Sequence, residues 1–124
     1  MSALVWLGFL AAGALGAVLR YLADQGISRR VQRRLPWGTF AVNASGSLLL
    51  GVLTGLVLYH AFPKAPMAIL GTGFCGAYTT FSTFSFETVR LLEDGAVSVA
   101  LRNAVGTLVT CAGAAALGLL MATL

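Results

Sequence analysis

Apolar positions run through this chain in long blocks, separated by short polar stretches. Four windows, residues 1–19, 35–63, 65–86 and 103–124, contain no Asp, Glu, Lys or Arg. A helix needs about 20 predominantly apolar residues to cross a bilayer. The pattern therefore predicts an all-α membrane protein with four transmembrane helices, over residues 3–23, 38–59, 66–92 and 97–123. Residues 1–124 read as one four-helix transmembrane domain.

Within the spans, small and polar residues recur at helical spacing. Gly8, Ala12, Gly16 and Arg20 fall on one face of the first span. Thr39, Asn43 and Ser47 form a stripe on the second, continued by Gly46, Gly51 and Gly55, and Asn103, Thr107 and Cys111 form one on the fourth. Small residues at this spacing let helices in a membrane approach closely. The third span is different. Gly71, Gly73 and Gly76 fall within six residues, and each weakens a helix by about 1 kcal/mol relative to alanine. The expectation is a broken helix there, which a membrane tolerates where the freed backbone lines a cavity or binds an ion.

Composition strengthens the membrane reading. Hydrophobic residues make up 58% and charged residues 10%, against about 25% charged in an average soluble domain. The four spans leave no room for a large enzyme core, a Rossmann unit or a DNA-binding module. Gly71, Gly73 and Gly76 match G-x-G-x-x-G by accident, since no strand and no parallel sheet can flank them. The net charge is +4, with Arg29, Arg30, Arg33 and Arg34 crowded between the first two windows. Anionic lipid headgroups and membrane orientation account for such a cluster, so nucleic acid is not expected as a partner. The N-terminal segment lacks a basic n-region and reads as a retained helix, not a cleaved signal. Cys75 and Cys111 read as small apolar packing residues, and His60 as interfacial.

Candidate chemistry is uncharged. The acids Asp24, Glu87, Glu93 and Asp94 lie at or near span ends, and no base is paired with a hydroxyl at membrane depth, so an enzyme is not expected. A polar track remains: Thr39 and Asn43, then Thr79, Thr80, Ser82, Thr83 and Ser85, then Asn103 and Thr107. Each hydroxyl alone could serve helix packing. Their density beside Phe81, Phe84 and Phe86 is more than packing needs. An aromatic ring has a positive edge, and alternating hydroxyls and ring edges make a path for a small anion held weakly enough to move on.

These motifs resemble the Fluc/CrcB fluoride channel family. Gly13-Ala14-Leu15-Gly16-Ala17-Val18-Leu19-Arg20-Tyr21 is similar to its first-helix signature, and Gly38-Thr39-Phe40-Ala41-Val42-Asn43-Ala44-Ser45-Gly46 to its second. Gly73-Phe74-Cys75-Gly76 followed by Thr79-Thr80-Phe81-Ser82-Thr83-Phe84 is similar to the third. The resemblance implies a dual-topology homodimer of four-helix subunits with two pores, exporting fluoride passively across the cell or inner membrane and so limiting its toxicity. It implies pore roles for Phe81, Phe84 and Asn43 and a vestibule role for Arg20; the polar track adds Thr39, Ser82, Thr83, Asn103 and Thr107 as candidates along the same route. It also implies a structural Na+ at the dimer interface, held by the backbone carbonyls of Gly76 and Thr79. The sequence departs from the family in its fourth span, where a tyrosine followed by serines is usual and Asn103, Thr107 and Cys111 stand instead.

Two other readings compete. Small proton-coupled multidrug exporters share the length and the four spans but need a carboxylate within the membrane, and Glu87 is the nearest candidate. A non-transporting membrane subunit would use its glycine stripes for packing alone. Charge distribution adds a further expectation. The arginine-rich stretch, Arg90 and Arg102 fall on one side and Lys64 on the other, a bias that favours one orientation. Dual insertion requires the dimer to override it; otherwise the partner is an oppositely oriented paralogue.

Overall fold

A computed structural model describes residues 1–31 and 34–124. The described residues are helical with short connections and contain no strand. The elements are α1 (Ala3–Arg30), α2 (Trp37–His60), α3 (Lys64–Met67), a π-helical segment (Ala68–Cys75), α4 (Gly76–Tyr78), α5 (Phe81–Glu93) and α6 (Val97–Met121). Three of them, α1, α2 and α6, are long and apolar enough to cross a membrane.

The first helix runs seven residues past the predicted end of its span, through Asp24 to Arg30. Gly26 is the weakest helix former in that extension and a single glycine is tolerated. Arg29 and Arg30 occupy the last turn, where cations complement the helix dipole. Much of the predicted arginine loop is thus a helix end; Arg33 lies outside the described residues. Ser2 starts the helix by accepting a hydrogen bond from the Val5 N–H at 3.3 Å, a standard N-cap contact.

The third window breaks, but not at its glycines. From Ala68 to Cys75 the chain stays helical with π geometry, and the Gly76 N–H reaches the Gly71 carbonyl five residues back. The interruption falls at Thr79 and Thr80, both extended, with φ/ψ of −81°/160° and −149°/122°. Gly73 serves close approach instead. A Cβ on Gly73 would sit 3.0 Å from the Phe9 carbonyl oxygen, and one on Gly16 would sit 2.5 Å from that of Phe74. So α1 lies directly against the π segment.

The most extensive packing is between α2 and α6. Gly51 meets the Ala115 backbone, and Gly118 meets Leu48 and Val52. At the far end His60 Nε2 lies 2.6 Å from the Ala122 carbonyl oxygen, so the residue read as merely interfacial ties the ends of the two helices together. At the near end, Gly95 takes φ +79° in the turn into α6, where Leu91, Ala96 and Ala100 form a small core. Cys75 is buried and Cys111 half-buried, and both are free thiols.

Because the neighbours of Gly118 are backbone atoms that cannot rotate away, Gly118→Val forces α2 and α6 apart. Overpacking of this kind costs about 1–3 kcal/mol. Gly113 has nothing within 4 Å of a Cβ, so Gly113→Ala is expected to be neutral or stabilising by up to about 1 kcal/mol. Thermal unfolding in detergent should show a lowered midpoint for the first variant and none for the second.

Candidate functional site

The interruption at Thr79–Thr80 releases backbone groups from helical bonding, and in lipid each needs another partner. Asn43, on the buried face of α2, supplies two. Its Nδ2 donates to the Thr80 carbonyl at 2.9 Å, and its Oδ1 accepts from the Thr80 N–H at 2.8 Å. The carboxamide replaces the peptide group that a continuous helix would have offered. Thr80 then caps α5, its hydroxyl accepting from the Thr83 N–H at 3.2 Å and donating to the Thr83 hydroxyl at 3.1 Å. The Ser82 hydroxyl lies 3.3 Å from the same oxygen.

This junction forms one wall of a cleft of about 290 Å³, lined by Asn43, Gly46, Ser47, Leu50, Thr79, Thr80, Phe81, Phe84, Thr107, Leu108 and Cys111. None of these residues is charged. The Phe81 and Phe84 ring centroids are 5.8 Å apart with planes at 50°, and both residues line the cleft. Phe81 is 78% exposed, so the cleft is open on its outer side. Beyond Thr80 lies a second cavity of about 210 Å³, lined by Arg20, Tyr21, Asp24, Thr39, Thr80 and Thr83 among others. Arg20 is half-buried there, and no carboxylate of the described residues lies within ion-pair distance of it.

The eight residues expected along the anion route are therefore not one continuous lining. Asn43, Phe81, Phe84 and Thr107 meet in the cleft. Thr39 and Thr83 join Arg20 in the second cavity. Asn103 is buried behind Thr107 and faces a third cavity of about 190 Å³ beside Trp37 and Arg102. Ser82 is exposed and lines none of the three. Asn43 spends its oxygen and one N–H on Thr80, so one N–H is left for any ligand.

Glu87, which follows a charge-free window, is not among the residues expected along the route. The Thr39 hydroxyl donates to its Oε1 at 2.5 Å, so the carboxyl reaches the polar interior from α5. The available signal was its spacing. Glu87 lies three residues past Phe84 and one before Thr88, on the face that carries the track.

A cation at the carbonyls of Gly76 and Thr79 is compatible with the backbone. The helical donor for Gly76 would be the Thr80 N–H, which is bound to Asn43. That for Thr79 would be the Thr83 N–H, which is bound to the Thr80 hydroxyl. Both carbonyls are thus deprived of their usual donors, and Gly76 is exposed with nothing within 4 Å of a Cβ. Two backbone oxygens and no nearby carboxylate suit a hard monovalent ion better than a divalent one. Among the described residues no cluster of His, Cys, Asp or Glu is arranged to hold a metal.

Apolar helices long enough to span, an interrupted element between them and an uncharged polar cleft define a multi-pass helical membrane protein. The family described as "CrcB-like protein, Camphor Resistance (CrcB)" matches residues 7–119. A protein of Frankia casuarinae named "Fluoride-specific ion channel FluC 1" is 46% identical over 94% of this chain and 95% of its own. "Fluoride-specific ion channel FluC 2" of Mycobacterium bovis is 46% identical over 95% and 90%. "Fluoride-specific ion channel FluC" of Nitrobacter winogradskyi is 41% identical over 91% and 90%. This chain belongs to the CrcB family.

Removing the Asn43 carboxamide strands two buried backbone groups. Each unsatisfied group costs about 1–3 kcal/mol. Asn43→Leu is expected to lower stability accordingly and to raise hydrogen exchange at the Thr80 amide by at least tenfold, measured by mass spectrometry in detergent. An unchanged Thr80 exchange rate would show that the junction does not depend on Asn43.

Proposed function

We propose that this protein is a fluoride-selective channel that lets fluoride leave the cytoplasm passively, and is not an enzyme. One observation carries the reading: the uncharged cleft in which two phenylalanine rings, one asparagine N–H and a threonine hydroxyl converge. The names of the relatives support the choice of fluoride. A small, strongly hydrated anion needs donors to replace its water, and donors of neutral groups release it again. Arg20, in the adjoining cavity, draws anions toward the Thr39 and Thr80 side.

The broken element between α2 and α6 makes the third of four crossings, with Lys64–Tyr78 entering and Phe81–Glu93 leaving. The chain pairs with a second copy in the opposite orientation, giving two pores. The openness of the cleft at Phe81 supports this, since an anion route facing lipid would not hold water. A groove of about 500 Å³ along Leu19, Leu22, Leu49, Phe74 and Tyr78 offers an apolar seat for the partner. Paired Gly76 and Thr79 carbonyls from two subunits would hold sodium, which supplies a fixed positive potential between the pores when bound. The membrane is the cell or inner membrane, and lipid is the other partner.

Glu87 gives the exporter reading its one foothold, as a carboxyl reaching the interior. Proton-coupled multidrug export predicts that flux follows a proton gradient; channel conduction does not. Proteoliposomes holding the purified protein alone should release fluoride, read with a fluoride electrode, and retain chloride. Equal chloride release would remove the selectivity, and fluxes of cationic drugs driven by protons would favour the exporter. With no transport of any kind, the chain would be a structural subunit.

Phe81→Ile and Phe84→Ile keep apolar bulk and remove the ring edge. Each is expected to cut fluoride flux at least tenfold with the assembly intact by size-exclusion chromatography. Wild-type flux in both would reduce the rings to packing.

Orientation is open to a direct measurement. The basic residues Arg20, Arg29, Arg30, Arg34, Arg90 and Arg102 cluster toward one end of the spans and Lys64 toward the other. Single cysteines at Arg30 and at Lys64, in a background lacking Cys75 and Cys111, should both be labelled from outside intact cells if insertion is dual. Labelling at Lys64 alone would call for an oppositely oriented paralogue. Replacing sodium with a large organic cation should weaken the dimer; unchanged dimer stability would argue against the ion.

A further inference from the structure

Three hydrogen bonds behind the cleft form a chain with a fixed direction. The Thr107 hydroxyl lies 3.4 Å from Asn103 Oδ1 as donor. Asn103 Nδ2 donates to Thr88 Oγ1 at 2.8 Å. The Thr88 hydroxyl donates to the Phe84 carbonyl at 2.8 Å. The last acceptor is a backbone carbonyl, whose role cannot change. A carbonyl has no proton, so the Thr88 proton is committed to Phe84 and the Thr88 oxygen can only accept. Its partner must then be the NH2 end of Asn103, and the carbonyl end is turned to Thr107. The amide orientation, ordinarily a matter of assignment, is favoured here because the reverse one would draw the Thr88 proton off the Phe84 carbonyl.

We propose that Thr88 is a positioning residue for anion conduction: by fixing the Asn103 amide with its oxygen toward Thr107, it makes the Thr107 hydroxyl a donor that an anion borrows and returns. This deepens the fluoride-channel reading and rests on it. Asn103 and Thr107 are 4% and 6% exposed, so no bulk water competes for the Thr107 proton. The 3.4 Å bond to Asn103 is at the long limit of a hydrogen bond. An anion in the cleft is a stronger acceptor and accepts the Thr107 hydrogen bond in place of Asn103 at little cost, the O–H bond staying intact. When the anion moves on, the Asn103 oxygen accepts that hydrogen bond again. Asn103 is thereby reassigned from a donor in the pore to the acceptor behind it. Without Thr88 the amide is free to reverse. Its NH2 would then donate to Thr107, whose proton would stay directed into the cleft and hold the anion longer.

The experiment is fluoride efflux from proteoliposomes over a range of internal fluoride, for wild type, Thr88→Val and Thr88→Ser. The expected result is that Thr88→Val lowers both the half-saturating fluoride concentration and the maximal flux by about threefold or more, while Thr88→Ser matches wild type in both. A role in packing alone would change the amount of folded protein and leave half-saturation where it was; that result overturns the proposal. A second readout does not depend on flux. The side-chain amide nitrogen of Asn103, followed by NMR in detergent, should shift in Thr88→Val and stay in place in Thr88→Ser. An unmoved resonance in Thr88→Val overturns the proposal, and Thr88→Ala serves for both readouts if the valine variant does not fold. A wild type that passes no fluoride overturns the channel reading, and with it the conduction role of Thr88, whereas normal wild-type flux with an unaltered Thr88→Val curve sinks only this inference.

Discussion

A chain that leaves the helix inside lipid must find a new partner for every N–H and C=O it frees. Thr79 and Thr80 do leave it, and the Asn43 carboxamide meets both polar groups of Thr80. The rest of the interior follows from that pair of bonds. With its N–H taken by Asn43, Thr80 no longer closes the turn on Gly76. Its hydroxyl is then free to start α5 as a cap. Phe81 and Phe84 open that new helix, and its direction brings their rings over the cleft instead of along the preceding helix. A contact of two neutral amides thus fixes a packing geometry, an aromatic arrangement and a pair of carbonyls without helical donors.

The glycines have the complementary task. In water a helix pair is held by burying apolar surface, but lipid is as apolar as leucine and offers no such gain. Close backbone approach replaces it. Gly51 and Gly118 bring α2 and α6 together, and Gly16 and Gly73 bring α1 onto the π segment. The polar residues then sit in the narrow spaces between helices rather than in a conventional core, which explains why Thr39, Asn43, Asn103 and Thr107 are buried while Leu, Val and Phe side chains cover the outside. Such an inside-out distribution is what a bilayer selects.

Two of the buried polar groups have roles that differ from the obvious one. Asn43 and Asn103 both look like donors for an anion, because each carries an NH2 group at membrane depth. In place, Asn43 commits one N–H and one lone pair of its oxygen to the backbone of Thr80. Asn103 faces the other way, with its oxygen toward the cleft residue Thr107. For the proposed anion route, the groups left are one N–H of Asn43, hydroxyls and aromatic rings. That set is weak and neutral, which is compatible with passage and not with tight retention.

Reading the sequence alone determined the membrane class, the three long spans to within a few residues except at the end of α1, and the polar and glycine faces, because hydrophobic length and helical period are local properties of the chain. It also anticipated an interruption in the third window. Its place was decided only in the tertiary structure: Gly71 and Gly73 are costly in an isolated helix, yet here Gly73 lies against Phe9 of α1 and Gly71 faces Met67 and, on α2, Leu50, and the break moves to Thr79–Thr80, where Asn43, more than thirty residues earlier, supplies the missing partner. The same holds for the site. Phe81, Phe84, Asn43 and Thr107 could be named from the polar track and the resemblance, but Glu87, at the edge of a charge-free window, is tied to Thr39 of the second cavity only by a hydrogen bond between helices. Thr88 is one hydroxyl among many in the sequence, since the chain of bonds that links it to Asn103 and Thr107 runs across two helices. Periodicity reports which face a residue occupies; which group on another helix faces it, and which way a proton points between them, exist only once the helices have packed.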